Sequence, residues 1–211
     1  MKKIMLLALL LFPVFTQAQE MKAVFVNMPD SLCPLLTKNN RADFADFLES
    51  KMRAEVKNKF DKPSEMKVLT KDYTLVEVSS ASTLQLKLLP VNDSVRIICM
   101  VNTMSGPAND SEIRFYTTDW KELPLEDYLA MPIAESFFIT SDKINSDKLA
   151  AARGVADMTL IKAVLASDTP TLSFTYTTVD YMDKEAAQDI RPYLKKEPLL
   201  YKWENGRFVE K

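Results

Sequence analysis

The feature that most constrains the fold is a series of alternating apolar and polar runs, separated by short clusters of turn residues. In the run Leu84–Leu88 every second residue is leucine and the residues between are polar, which is the pattern of a half-buried strand. The range 112–117 alternates in the same way, 73–79 is rich in residues that favour strands, and 95–103 is apolar on both faces apart from Arg96, which is typical of a central strand. Because Ser, Pro, Gly, Asn and Asp fill the gaps at hairpin spacing, the runs predict an antiparallel meander of four strands, with a short fifth strand around 66–70.

A helical pattern precedes these strands. Apolar residues recur at spacings of three and four, which places them on one face of a helix: Phe44, Phe47, Leu48, Met52, Val56 and Phe60. The opposite face is charged, and the sequence Asp-Lys-Pro at 61–63 ends the pattern. The sequence therefore predicts one long helix from Arg41 to Phe60, with Asn39 or Asn40 as its N-cap, whereas the shorter piece Ala23–Val26 is typical of a strand.

The second half of the chain shows the same mixture on a smaller scale. Apolar runs over 156–166 and 171–179 are suited to pair across the turn between them. Asp183 is a suitable N-cap for a helix over 184–194. The dipeptide Asn205-Gly206, between two apolar runs, is a strong signal for a two-residue β-hairpin.

Together these patterns predict an α+β protein. A long N-terminal helix packs on a four- to five-stranded antiparallel meander in segment 19–122. A smaller helix-plus-antiparallel-sheet segment follows over 123–211, including a short helix over 146–153, and packs against the first segment. A structural duplication that relates the two segments is an open alternative.

Residues 1–18 have the three parts of a secretory signal peptide. Lys2 and Lys3 form a positively charged start, Ile4–Phe15 is apolar, and Thr16–Ala18 has the small-x-small form of a cleavage site. The apolar run is shorter than the roughly 20 residues that a membrane-spanning helix needs. The sequence therefore predicts an exported protein, periplasmic or extracellular, with no transmembrane segment after cleavage.

The composition argues against several classes of function. The chain has no histidine, which removes Ser-His-Asp and Cys-His catalysis and the usual zinc sites. Its 3 glycines lie too far apart for a phosphate-binding loop or a dinucleotide fingerprint. A formal net charge of −2 argues against nucleic acid and against an anionic membrane surface as partners. We therefore expect no cofactor and no metal site.

The two cysteines allow two interpretations. Export into an oxidising compartment permits a disulfide between Cys33 and Cys99. Cys99, however, shares a face of its predicted strand with Ile97 and Val101, where a cysteine acts as a small buried apolar residue. Two separate thiols are therefore the favoured interpretation, and the disulfide is the alternative.

The candidate binding residues lie at strand ends and in the longest connection of the meander. Trp120 follows a predicted strand that contains Tyr116, and aromatic residues at strand ends either form a recognition patch or cap the core. Exposed loops on rigid sheets often carry binding function, which favours the connection 104–111. The candidate surface consists of Trp120, Tyr116, Ser105, Gly106, Pro107 and Asn109.

Four segments together resemble a family of uncharacterised secreted proteins of the Bacteroides group: Met28–Leu32, Leu36–Arg41, Leu88–Val91 and Ile113–Trp120. The resemblance implies export and a Gram-negative envelope, but it implies no activity. Exported proteins of that group are modified at a short Asp-Ser/Thr-apolar motif, which Asp30-Ser31-Leu32 and Asp93-Ser94-Val95 match. Ser94 is the better candidate for glycosylation, because it lies in a predicted exposed turn.

Three hypotheses about function follow. The leading one is a non-enzymatic exported envelope protein that binds another macromolecule, either an envelope protein or a glycan. The second is a histidine-free hydrolase of the glycosidase type, which needs two carboxylates. Two acidic clusters are its candidates: Asp180, Asp183, Glu185 and Asp189, and Asp119, Glu122, Glu126 and Asp127. The third is a purely structural envelope protein.

Overall fold

The computed structural model describes residues 20–139, 150, 154 and 158–211 of the chain. The predicted signal peptide at 1–18 lies outside these residues. The predicted helix at 146–153 also lies outside them, except for residue 150. Within the described part, two antiparallel sheets of seven and four strands dominate the architecture. The helices are short.

The larger sheet is a continuous meander in which each strand pairs with the next one along the chain. Its strands are β1 (Glu55–Lys57), β2 (Pro63–Leu69), β3 (Tyr73–Ser79), β4 (Ser82–Pro90), β5 (Arg96–Ser105), β6 (Asn109–Thr117) and β7 (Glu122–Leu123). The four strands expected from alternation are present as β3 to β6, and the short strand expected before them is present as β2. Strand β7 spans the point where the chain was divided into segments 19–122 and 123–211, and that division stays a prediction.

The smaller sheet has the order β11-β10-β9-β8. Its strands are β8 (Ile161–Leu165), β9 (Thr171–Tyr176), β10 (Leu199–Glu204) and β11 (Arg207–Glu210). The expected hairpin joins β10 to β11, because Asn205 and Gly206 have φ angles of 51° and 80°. Positive φ at both central residues is what a type I′ turn requires, and Asn-Gly adopts it at low cost.

The described helices are α1 (Glu20–Val26), α2 (Lys38–Glu49), α3 (Leu125–Tyr128), α4 (Thr178–Tyr181) and α5 (Lys184–Ile190). The N-caps of α2 and α5 follow from the local sequence. The Thr37 side chain accepts a hydrogen bond from the Asn40 N–H at the start of α2. The Asp183 carboxylate accepts from the N–H groups of Glu185 and Ala186, which confirms Asp183 as the N-cap of α5.

The predicted long N-terminal helix is wrong. Helix α2 has 12 residues and ends at Glu49, and the chain then enters β1. The helix ends in a Schellman motif, in which the N–H of Met52 bonds to the Phe47 carbonyl at 2.8 Å and the N–H of Lys51 bonds to the Leu48 carbonyl at 3.0 Å. Lys51 takes the left-handed conformation, φ 57°, where glycine is usual, so no glycine marks the end of the helix.

Two further expectations about the fold are corrected. Residues 23–26 belong to α1 and not to a strand, because Met21, Val24 and Phe25 bury one helical face. The molecule is mostly antiparallel sheet, and not a helix packed on a meander with a smaller copy behind it. The two sheets differ in strand number, and α4 and α5 are inserted between β9 and β10, so the alternative of a structural duplication is also wrong.

The seven-stranded sheet separates two apolar cores. On β5 the residues Cys99 and Val101 face the inner core, between the two sheets, whereas Ile98 and Met100 face the outer core, under α1 and α2. Alternate residues of a strand point to opposite faces, so β5 is apolar throughout because both of its faces are covered. Aromatic rings fill much of the inner core, with Trp203 packed against Phe208 at a ring distance of 5.0 Å.

The free edge of β8 is held by side chains of the seven-stranded sheet. Three backbone N–H groups of β8 point away from β9, and each donates to a side-chain oxygen. The pairs are Ile161 to Asp110 Oδ1 at 3.2 Å, Ala163 to Ser111 Oγ at 2.9 Å, and Leu165 to Gln85 Oε1 at 2.8 Å. Strand β8 therefore runs across β6 and β4, and its edge is satisfied without another strand.

Lys87 makes the next contact between the two sheets, with the chain just after the end of β8. Its Nζ donates to the Ser167 carbonyl at 2.9 Å and forms an ion pair with Asp72 Oδ2 at 3.1 Å. Lys87 is 2% exposed and Gln85 is 7% exposed. The alternation of Leu84–Leu88 correctly predicted a strand, but its polar face points into the second sheet and not into solvent.

Replacing Gln85 with methionine tests the role of the β8 edge. Gln85→Met keeps the size of the side chain but leaves the buried N–H of Leu165 without an acceptor, which costs about 1–3 kcal/mol. We expect urea denaturation to show a free energy of unfolding lower by that amount. Gln188→Met, at an exposed position of α5, is the matched control and should change stability by at most about 0.5 kcal/mol. Equal effects of the two substitutions would contradict this account of the edge.

Candidate functional site

The predicted binding residues do not form one surface. Trp120 follows the end of β6, whereas Ser105, Gly106 and Pro107 precede its start. The nine residues of β6 separate the two groups by roughly 30 Å, since a strand rises about 3.3 Å per residue.

Trp120 joins α1 to the seven-stranded sheet. Its indole N–H donates to the Val24 carbonyl at 3.1 Å, and its ring lies 5.5 Å from the ring of Tyr116. Tyr116 is 2% exposed, and Trp120 is only partly exposed. Since the polar atom and one face of the indole are engaged within the protein, Trp120 caps the outer core and offers little surface to a partner.

The β5–β6 turn is exposed and closely bonded to itself. Ser105 Oγ donates to Asn109 Oδ1 at 2.8 Å, and the N–H of Gly106 donates to the Ala108 carbonyl at 3.2 Å. Met104, at the base of this turn, is 61% exposed. The turn is thus a rigid projection beside an exposed apolar side chain.

Ser94, the candidate for glycosylation, lies as predicted in an exposed turn, which joins β4 to β5. The side chain of Asn92 accepts hydrogen bonds from the N–H groups of Ser94 and Val95, at 2.9 Å and 2.8 Å. The Ser94 hydroxyl is exposed at the surface of this turn. Its glycosylation stays a prediction.

An apolar cleft of about 370 Å³ opens beside Met104. One wall is the segment Leu32–Leu35 between α1 and α2, and the other is the turn end of strands β3 to β6 on the outer face of the sheet. The residues that line it are Leu32, Cys33, Pro34, Leu35, Val78, Ser82, Thr83, Asn102, Thr103, Met104, Asp110 and Glu112. We call this feature the turn-end cleft.

Buried Arg41 holds the first wall of the cleft in place. Arg41 is 1% exposed, and its guanidinium donates to the carbonyls of Met28 and Leu36. It also pairs with Asp30 Oδ1 at 2.9 Å. These contacts reach both ends of the segment that includes Leu32–Leu35, so one side chain of α2 fixes the shape of that segment.

The second wall carries the charge of the cleft. Asp110 and Glu112 on β6 lie opposite Met104 and Asn102 on β5. Arg114 donates to Glu112 Oε1, and Asp110 Oδ1 accepts the N–H of Ile161. Within the described residues, the second oxygen of each carboxylate accepts no hydrogen bond, so the cleft combines an apolar floor with an acidic side.

Cys33 lines the cleft, but its thiol has low reactivity. Its side chain is 4% exposed, and burial raises the pKa of its thiol to about 11. Burial also raises the pKa of Cys99 well above its ordinary value. Both are free thiols, Cys33 in the outer core and Cys99 in the inner core, so the seven-stranded sheet lies between them.

Two residues of the first acidic cluster are engaged in structural contacts. Asp183 caps α5, and Asp180 pairs with Arg191 at 3.0 Å on the surface. The residues of the second cluster, Asp119, Glu122, Glu126 and Asp127, are all exposed. Among the residues that the structure describes, no group of three Asp, Glu or Cys side chains is placed to hold a metal ion.

The helices of the described part of the chain are too short or too polar to cross a membrane.

None of the six candidate binding residues lines the cleft. The connection 104–111, in which four of them lie, contributes its neighbouring residues Met104 and Asp110. The wall Leu32–Leu35 lies far upstream in the sequence, in a segment that looked irregular. The Cys-Pro pair at 33–34, which keeps a chain extended, marked the segment but not its partner.

Substitution of Arg41 tests how the cleft wall is held. Arg41→Met removes the donors to two buried carbonyls and the partner of Asp30, so we expect the free energy of unfolding to fall by about 3 kcal/mol in urea denaturation. Arg53→Met is the control, because Arg53 also pairs with carboxylates but its side chain is 69% exposed. A loss no larger than that of the control would contradict the assigned role of Arg41.

The state of the thiols can be measured directly. At neutral pH we expect the folded protein to react very slowly with a thiol reagent such as DTNB, because only the thiolate attacks and burial keeps both thiols protonated. In guanidinium, 2 thiols per chain should react at once, one for each cysteine. No reaction in the unfolded chain until a reductant is added would instead reveal a disulfide between Cys33 and Cys99.

Comparison with known proteins supports membership of an uncharacterised family. The structure is similar to that of a domain of an uncharacterized protein from Porphyromonas gingivalis W83, with a TM-score of 0.79 and 27% identity, over 91% of this chain and 99% of that one. No curated protein matches the chain. A family model described as protein of unknown function (DUF3256) matches residues 14–208, which is most of the sequence, and the chain therefore belongs to the DUF3256 family.

Proposed function

We propose that this chain is a non-enzymatic exported envelope protein that binds another exported protein through the turn-end cleft. Export rests on the pattern of residues 1–18 and on the resemblance to secreted proteins of the Bacteroides group. The absence of histidine and the structural contacts of Asp180 and Asp183 weigh against catalysis. A protein partner is favoured over a glycan, because glycan recognition relies on open aromatic faces and no aromatic residue is among those that line the cleft.

The observation that carries the proposal is the exposure of Met104 on the edge of an apolar cleft. Met104 is 61% exposed, and the cleft beside it is lined by apolar side chains of the Leu32–Leu35 segment. Phe60, in the β1–β2 turn, is 72% exposed, and the N–H of its neighbour Lys59 bonds to the Leu35 carbonyl at 3.0 Å. Apolar side chains that gather at one end of a sheet are typical of a surface that a partner covers.

A pull-down from the cell's own envelope extract tests the proposal. The mature protein, Met104→Gln and Met52→Gln are immobilised, and bound proteins are identified by mass spectrometry. Burying a methionine side chain stabilises a complex by about 1.5–3 kcal/mol, so Met104→Gln should weaken capture about tenfold or more. Met52 is 56% exposed on the chain after α2, and Met52→Gln should bind like the unmodified protein.

The comparison between the two methionine variants decides the outcome. A partner captured by the unmodified protein and by Met52→Gln, but lost with Met104→Gln, supports binding through the cleft. Equal capture by all three proteins would show that the cleft is not the binding surface. If no protein is enriched over a blank resin, the proposal of a stable protein partner is wrong.

A further inference from the structure

We propose that the turn-end cleft takes a peptide segment in which a large apolar side chain lies next to lysine or arginine. This inference rests on the proposed function and adds the chemistry of the partner. It follows from the size of the cleft, from the charge on one side of it, and from the position of its strands within the sheet.

The volume and the lining of the cleft fit one or two apolar side chains. At about 370 Å³ the cleft lies at the lower end of the roughly 300–1,000 Å³ found for ligand pockets. Leu32, Leu35 and Val78 provide aliphatic surface, and Met104 provides a flexible thioether at the edge. Methionine adapts its shape to different apolar partners, which suits a site that accepts a side chain from another protein.

The charge on the second wall selects a cation. Asp110 and Glu112 are the charged residues that line the cleft, and both are acidic. Asp110 has no ion-pair partner among the described residues, and Arg114 contacts one oxygen of Glu112. Lys59 is the nearby cation on the opposite side, where its backbone bonds to Leu35. A lysine or arginine beside the inserted side chain would meet carboxylate oxygens that are otherwise unpaired.

The cleft lies against the face of the sheet and not along one of its edges. Strands β3, β4 and β5 pair with a neighbour on both sides, whereas β6 pairs with β7 only at Phe115 and Tyr116. A partner that occupies the cleft lies against the outer face, where side chains project, and therefore binds through side chains. The occupant is a short segment that inserts an apolar group and places a positive charge against the acidic wall.

Labelled methionine provides a probe located at the cleft itself. The chain has 11 methionines, whose methyl groups carry ¹³C and are observed by NMR, and Met104→Leu assigns the signal of Met104. Three acetylated peptides are titrated, with the sequences Gly-Lys-Phe-Lys-Gly, Gly-Glu-Phe-Glu-Gly and Gly-Lys-Ser-Lys-Gly. We expect the first peptide to shift the Met104 methyl signal and not that of Met52. The other two peptides should bind at least about tenfold more weakly.

Substitutions that remove charge but keep the hydrogen bonds test the acidic wall. In the double variant Asp110→Asn and Glu112→Gln, the amide oxygens still accept from the Ile161 N–H and from Arg114. The fold should therefore be preserved, while affinity for Gly-Lys-Phe-Lys-Gly falls about fivefold, as expected for the loss of exposed ion pairs. Glu126→Gln, at an exposed position of α3, is the matched control and should not change affinity.

Equal binding of Gly-Lys-Phe-Lys-Gly and Gly-Glu-Phe-Glu-Gly would contradict the proposed selection for positive charge. Unchanged affinity of the double variant for Gly-Lys-Phe-Lys-Gly would contradict it as well. Failure of every peptide to shift the Met104 methyl signal would overturn the inference as a whole. These outcomes are separate from the pull-down. If capture from the envelope depends on Met104 but no peptide shows a charge preference, the proposed function stands and the inference about the partner's chemistry falls.

Discussion

The fold depends on how the backbone N–H groups on the free edge of β8 find hydrogen-bond acceptors inside the protein. Strand β8 lies against the seven-stranded sheet with its free edge turned toward that sheet, and a buried N–H without an acceptor costs about 1–3 kcal/mol. Oxygens of Asp110, Ser111 and Gln85 meet three successive outward N–H groups of β8. Because these side chains project from β6 and β4, they set both the position and the direction in which the small sheet crosses the large one. The inner core is closed by that placement.

Covering the inner face in this way determines what remains for binding. The outer face of the large sheet is packed under α1 and α2, and Arg41 draws the segment between them onto its turn end. That segment meets the sheet through Leu32 and Leu35 but does not fill the space beside Met104. The cleft is therefore a consequence of joining a helical layer to a sheet whose strands extend beyond it. One wall consists of paired strands and the other is held by Arg41, and a surface that is already ordered loses less entropy when it binds a partner.

The sequence predicted local elements and missed what distant residues impose. Strands β3 to β6 and the Asn205-Gly206 hairpin were readable, because apolar runs, alternation and turn chemistry are local. The end of α2 was not, because Lys51 occupies a left-handed position where a glycine would have marked it. Gln85 and Lys87 were expected in solvent, since their covering strand β8 lies far along the chain. For the same reason the cleft was not predicted, because its two walls are distant in sequence.

Asp110 links the stability of the fold to the chemistry of the cleft. One of its oxygens accepts the N–H of Ile161 and so helps to seat β8, while the residue also lines the cleft opposite Met104. A neutral acceptor, such as an amide or a hydroxyl, would also satisfy that N–H. The charge is therefore not needed for β8 to have an acceptor at this point. A carboxylate at the opening of an apolar cleft suits the proposed partner, which brings the opposite charge.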